Sequence, residues 1–157
     1  MCCQVLDTAG SEGSDRPTAA GTSAVLWTFE GRRVVRSQVW SLDPATGLVS
    51  PGNADAPTGA ALVLGVRGRD AGPVANGALE LQPLSAFAGG HPLGQSWRLT
   101  PLGLLVLQAR DSTGSSSEPA CETPRFAVGL ASTGRLFPAP GAEVVLVPAD
   151  SQRAIRY

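Results

Sequence analysis

The stretch "RSQVWSLDPATGLVSPG", residues 36–52, decides the fold, because the chain repeats its pattern as "GQSWRLTPLGLLVLQ" at residues 94–108. Each copy contains Gln-x-Trp-x-Leu-x-Pro and then Gly-Leu. Alternate side chains of a strand lie on the same face, so the Trp and Leu of each motif share a face. The proline ends the strand, and the glycine permits the turn that follows. Each copy therefore predicts a packed strand, a turn and a second strand, with Trp40 and Trp97 as buried core residues at equivalent positions.

The motif recurs at a fixed interval along the chain. Gln38 and Gln95 lie 57 positions apart, and the same interval leads to Gln152, where Ala154 takes the place of the tryptophan. Two apolar, strand-like segments precede each of these glutamines. A fixed period of this kind is typical of folds built from equivalent units that share one core. The predicted units are, in order, about 2–55, 56–110 and 111–157.

The composition predicts one all-β domain over residues 1–157. Gly and Pro separate eleven short apolar runs, and no stretch of ten or more residues follows a helical period. Charged residues make up 16% of the chain and the net charge is −1, so nothing indicates a nucleic-acid partner. No apolar run reaches the roughly 18 residues of a membrane span. With three cysteines, one histidine and no Cys-x-x-Cys, no metal site or cofactor is expected.

The third unit is expected to be degenerate and incomplete. It lacks the tryptophan of the motif, and it reaches Tyr157 before a Gly-Leu strand can form. We therefore expect it to be the least stable unit, with the fastest hydrogen exchange across residues 111–157. Because the chain begins directly with a strand-like segment, "CCQVLDTA", we interpret it as a domain excised from a longer protein.

The first unit resembles one subdomain of the ricin-type lectins. The resemblance lies in "VLDTAG", "SAVLWTFEG" and "SQVWSLDPATGLVS", and the second unit is similar up to about residue 110. It implies a β-trefoil, in which a six-stranded barrel is closed by three hairpins with pseudo-threefold symmetry. Closure of the barrel would also remove exposed sheet edges.

The resemblance implies one sugar site, in the first unit. Asp7 would accept hydrogen bonds from sugar hydroxyls, and Trp27 would stack on the apolar face of the sugar. Ser37 stands where the family favours Asn, and Gln38 would hold the Asp7 loop or contact a hydroxyl. The other units lack this combination. Their counterparts of Asp7 and Trp27 are Gly65 with Gln82 in the second unit, and Gly129 or Ala131 with Val147 in the third.

The expected function is non-enzymatic binding of a galactose-type or N-acetylgalactosamine-type sugar. The domain would be an accessory to a catalytic domain of its parent chain, such as a glycoside hydrolase, and would then be secreted or lumenal. One alternative is a structural trefoil that binds no sugar, which an exposed apolar patch near "RFAVGL" or "EVVLVPA" would favour. A small hydrolase is the other. It would need two or more carboxylates in one cleft, and Asp or Glu pairs at a useful spacing are not evident in the sequence.

Overall fold

The protein is all-β, as the composition predicts. The computed structural model describes residues 3–10, 18–29, 34–53, 61–68, 75–84, 94–108, 126–131 and 140–155, and these contain no α-helix. The strands are β1 Cys3–Thr8, β2 Ala24–Phe29, β3 Trp40–Leu42, β4 Val49–Pro51, β5 Leu62–Val66, β6 Leu79–Pro83, β7 Trp97–Leu99, β8 Leu105–Leu107, β9 Phe126–Leu130 and β10 Ala142–Pro148. A single 3₁₀ turn, Arg36–Gln38, precedes β3.

Neighbouring strands form antiparallel pairs along the whole described chain. Six strands form a curled sheet in the order β1-β2-β10-β9-β8-β7, while β3-β4 and β5-β6 form two-stranded sheets. Because β9 and β10 lie in the middle of the large sheet, each has a strand on both sides. The third unit therefore contributes the centre of this sheet.

The second strands of the three units touch one another in a cycle. Ser23, just before β2, bridges Glu80 of β6, and Ala78, just before β6, bridges Val145 of β10. Ala142 of β10 pairs in turn with β2. Each unit therefore uses the same part of its second strand to contact the next unit.

The repeated Pro and Gly positions form the turns that the motif predicts. In the first unit the Asp43 carboxylate accepts hydrogen bonds from Ala45 N–H at 2.9 Å and from Thr46 Oγ1 at 2.6 Å. In the second unit Thr100 Oγ1 accepts one from Leu104 N–H at 3.0 Å. Gly47 and Gly103 both have a left-handed backbone, with φ of 74° and 78°, which glycine adopts at little cost.

One core joins all three units. Its buried members include Leu6 of the first unit, Leu64 and Trp97 of the second, and Val128 and Leu146 of the third. Trp97 is only 1% exposed, as expected for an anchor of the core. The expectation that Trp40 is equally buried is wrong, because its side chain is only partly buried at the edge of this core.

Ten of the eleven predicted apolar runs form strands. The exception is the last, where residues 152–153 form a turn and Ala154 makes an isolated bridge to Gly129. Within the described residues of "RFAVGL" and "EVVLVPA" no exposed apolar patch is seen, since Ala127, Val128 and residues 144–147 are all buried. Both runs are central strands and supply core residues instead of an exposed surface.

The central position of β9 and β10 changes the expectation that hydrogen exchange is fastest across all of residues 111–157. We now expect their amides to exchange with solvent as slowly as those of β5 and β6, because all four strands contain buried core residues. Amides in the turn at residues 149–153 should exchange at least about 100-fold faster. Hydrogen exchange followed by NMR would measure this, and uniformly fast exchange across β9 and β10 would contradict it.

Candidate functional site

Asp7, at the end of β1, is fully buried and hydrogen-bonded through both oxygens. Its Oδ1 accepts from Thr8 N–H at 2.7 Å, and its Oδ2 accepts from Gln38 Nε2 at 3.1 Å. The residue is 0% exposed to solvent. A buried carboxylate needs such donors, because burial without them would be costly. Gln38 therefore anchors the end of β1, which is one of the two roles expected for it.

Trp27 lies on the same face of the β1-β2 pair as Asp7. Asp7 is directly opposite Val25, and Val5 is directly opposite Trp27, so the carboxylate and the indole are diagonal neighbours. The Trp27 side chain is partly exposed, whereas Asp7 is enclosed. The structure thus brings together the carboxylate and the aromatic group that the sequence predicts, with only the aromatic group open to solvent.

Ser37 and Gln38 lie in the 3₁₀ turn that leads into β3. Gln38 N–H donates to Val35 O at 3.0 Å, which fixes the turn and aims the Gln38 side chain at Asp7. Ser37 is 0% exposed, so its hydroxyl is not at the surface. Gln38 Oε1 is also enclosed, and it accepts no hydrogen bond in the part of the chain that the structure describes. It is therefore an acceptor that remains available to a new donor.

The second unit repeats this arrangement with an amide in place of the carboxylate. Gln95, the counterpart of Gln38, donates from Nε2 to Gln82 Oε1 at 2.9 Å. Gln82 occupies the strand position equivalent to Trp27, since it lies opposite Val63 as Trp27 lies opposite Val5. A Cβ at Gly65, the counterpart of Asp7, would lie only 2.7 Å from Gln82 Cδ. The Gln82 amide thus fills the place of both site residues.

The third unit fills the same space with apolar and backbone atoms. The register settles the equivalence, because Gly129 lies opposite Val145 as Asp7 lies opposite Val25. A Cβ at Gly129 would lie 2.8 Å from Val147 Cγ1 and 2.6 Å from Arg153 O. Neither the second nor the third unit has room for a side chain at the Asp7 position, so only the first can present a carboxylate there.

The motif tryptophans make the same hydrogen bond in two units. Trp40 Nε1 donates to Leu6 O at 3.0 Å, and Trp97 Nε1 donates to Leu64 O at 2.9 Å. In the third unit, where Ala154 replaces Trp, Ile155 N–H donates instead to Val128 O at 2.9 Å. The chain backbone thus satisfies the carbonyl that an indole satisfies elsewhere.

An apolar groove of about 320 Å³ lies beside the candidate site, and the sequence did not predict it. Its lining residues are Val5, Leu6, Gln38, Trp40, Ser41, Leu42, Val49, Leu99 and Leu105. None of these side chains is charged. The Gln-x-Trp-x-Leu pattern marks some of the lining, but the opening between the first and second units depends on tertiary packing.

Neither a metal-binding cluster nor a helix that could cross a membrane is found in the described residues. Within them, no group of three His, Cys, Asp or Glu side chains is placed to hold a metal ion. His91, Cys2 and Cys121 lie outside the described residues. No helix among the residues that the structure describes has the length and apolar character needed to cross a membrane.

Comparison of the chain with protein-family models, with curated proteins and with solved structures gives no match. The features that indicate a function are therefore the site residues, the contacts repeated between units and the resemblance carried by the Gln-x-Trp motifs.

Proposed function

We propose that the chain is a ricin-type β-trefoil domain that binds carbohydrate and catalyses no reaction. Three features support the fold: equivalent strand registers in the three units, the cyclic contacts of β2, β6 and β10, and the repeated bond from an indole to a strand carbonyl. A six-stranded sheet that curls is what an incompletely closed barrel would contain.

The observation that carries the sugar site is the bond from Gln38 Nε2 to Asp7 Oδ2. It joins two of the four predicted site residues across 31 positions of sequence, with Trp27 on the same face. The corresponding places in the other units are filled by Gln82 and Val147. The first unit is therefore the only described unit that combines a carboxylate with an aromatic side chain.

The chemistry of these residues suits a sugar. A carboxylate makes stronger hydrogen bonds to hydroxyls than a neutral acceptor does, and an indole presents a flat apolar surface for stacking. Gln38 Oε1 could accept one further hydroxyl. Because Asp7 is enclosed, binding requires that the carboxylate exchanges part of its present contacts for sugar hydroxyls. Such a site would be weak, and attachment to a catalytic domain would raise its effective concentration at a glycan surface.

A second candidate function is that of a structural trefoil packed on a catalytic domain. It is favoured by the complete burial of Asp7 and Ser37, both 0% exposed. In this reading the Gln38–Asp7 bond has the same role as the Gln95–Gln82 bond, which links two buried side chains and has no place for a ligand. The two candidates differ in whether the first unit responds to sugar.

Titration of ¹⁵N-labelled protein with galactose or N-acetylgalactosamine separates these candidates. We expect shifts at the Trp27 indole, the Gln38 side-chain amide and Thr8 N–H, with a Kd on the order of millimolar, or roughly −4 kcal/mol. Trp27→Ala and Asp7→Asn should each weaken binding at least about tenfold, a loss of about 1.4 kcal/mol.

The Gln95 side-chain amide is the internal control, because it makes the equivalent bond in a unit without a site. Its signal should not move during the titration. Shifts at Gln95 without shifts at Gln38 would refute the site assignment. No shifts with any sugar would favour the structural candidate, provided that each variant keeps the dispersed spectrum of the folded protein.

A further inference from the structure

In two of the three units, a turn from the preceding unit packs against the segment that carries the motif. The Thr46–Gly47 turn lies on the second unit, where Trp97 N–H donates to Gly47 O at 2.7 Å and Ser96 Oγ donates to Thr46 O at 3.2 Å. The next turn places Leu104 in an apolar cluster with Ala154 of the third unit. The chain therefore contains two examples of a Gly-Leu turn that packs against the next unit.

The first unit has no such cover among the described residues. Val39, the counterpart of Ser96, is 49% exposed, whereas Ser96 is only 7% exposed. Trp40 is partly exposed, whereas Trp97 is 1% exposed. Strands β3 and β7 are otherwise alike in sequence pattern and in pairing. The difference in exposure therefore reflects that, among the described residues, no turn packs against β3.

The backbone of β3 offers a hydrogen-bond donor on this uncovered side. Gly52 N–H donates to Val39 O, and Asp43 N–H donates to Leu48 O. Hydrogen-bonded and non-hydrogen-bonded pairs alternate along an antiparallel ladder, so the Trp40 N–H points away from β4. At the equivalent place in the second unit, Trp97 N–H meets the Gly47 carbonyl. Among the residues that the structure describes, no acceptor faces the Trp40 N–H.

We propose that this face is a docking surface for an uncharged peptide turn of the Thr-Gly-Leu-Val type, supplied by a partner polypeptide. The surface comprises Val39, Trp40, Leu42 and Leu99, and it continues into the apolar groove. The segment's glycine carbonyl accepts from Trp40 N–H, and its apolar side chains enter the groove. No lining residue is charged, which matches an uncharged occupant. This contact copies the one that the Thr46–Gly47 turn makes on the second unit, where the Gly47 carbonyl accepts from Trp97 N–H.

The test uses a peptide with blocked termini that copies the chain's own turn without the charged Asp43, residues 44–53, "PATGLVSPGN". Titrated to about millimolar concentration against the ¹⁵N-labelled full chain, it should shift the backbone amides of Val39 and Trp40. Hydrogen exchange at Trp40 N–H should slow by about fivefold, the effect of one new hydrogen bond. A control peptide carrying L48S and V49S should bind at least about tenfold more weakly, because it buries less apolar area.

Two leucine variants provide a matched control on the protein side. Leu99 lines the groove and is already 49% exposed, so L99D places a charge there with little strain on the fold. Leu102 lies in the next turn, is 72% exposed and lines no part of the groove. L99D should reduce peptide affinity at least about tenfold by burying an unpaired charge, and L102D should leave it unchanged.

Three results would overturn the proposal. One is equal binding of the two peptides, and another is equal affinity of L99D and L102D for the native peptide. The third is self-association of the full chain through Val39 and Trp40, which would identify a second copy as the occupant. The Trp97 indole signal reports the core in each variant, so loss of binding in a protein that retains this signal reflects the groove itself.

Discussion

Replacing Trp97 with alanine is expected to lower the free energy of unfolding by about 3–5 kcal/mol, because it opens a large cavity in a packed core. The side chain is 1% exposed and belongs to the cluster that joins all three units. Its indole N–H also satisfies the Leu64 carbonyl at 2.9 Å, which alanine would leave without a partner. Urea denaturation followed by circular dichroism would measure the loss.

Trp40→Ala is the matched control for this substitution. Trp40 makes the same bond, to Leu6 O, but it is partly exposed beside an open groove. We expect a loss of about 2 kcal/mol, because less apolar surface is buried and water can enter the space left behind. A loss below about 1 kcal/mol at Trp97, or a larger loss at Trp40 than at Trp97, would contradict the described packing.

Gly47→Ala is expected to cost about 2–4 kcal/mol through two separate effects. The residue has φ of 74°, where an L side chain is strained by about 1 kcal/mol. A Cβ there would also lie 2.6 Å from Ser96 Oγ and 2.7 Å from Trp97 O, so the turn would have to move off the second unit. Overpacking of this kind costs about 1–3 kcal/mol more.

Gly68→Ala separates the two effects. Gly68 has nearly the same backbone, with φ of 73°, but nothing lies within 4 Å of a Cβ built there. It should lose only about 1 kcal/mol, the cost of the left-handed conformation. Equal losses at Gly47 and Gly68 in thermal or urea unfolding would mean that the turn of the first unit does not pack against Trp97.

The all-β class and most strand positions follow directly from the sequence, because alternation and turn residues are local properties. The Gly47 and Gly103 turns are examples, since proline, glycine and the side chains of Asp43 and Thr100 act over only a few positions. The equivalence of Gly65 with Asp7 also follows from the resemblance, and the strand register agrees with it. In the third unit the sequence left Gly129 and Ala131 open, and the register selects Gly129. The closure of the barrel stays a prediction.

The features that could not be predicted depend on contacts between distant segments. Burial of Asp7 requires Gln38, 31 positions away, and sequence spacing does not report whether solvent reaches the carboxylate. The Gln82–Gln95 hydrogen bond was also missed. Gly65 could have indicated it, because a glycine there leaves room for the long polar side chain of Gln82 on the neighbouring strand. The partial exposure of Trp40 was missed because the motif is the same in both units. Within the described part of the chain, only Trp97 has the turn of the preceding unit packed against it.

The account predicts a lectin-like site confined to the first unit, and a glycan array tests this most directly. On an array, multivalent display makes millimolar sites detectable, so the wild-type domain should bind glycans that end in galactose or N-acetylgalactosamine. Trp27→Ala should lose this binding, because the stacking surface is removed, and its circular dichroism spectrum should remain that of the folded domain. Binding that is unchanged in Trp27→Ala, or no binding of any glycan by the folded wild-type domain, would contradict the account.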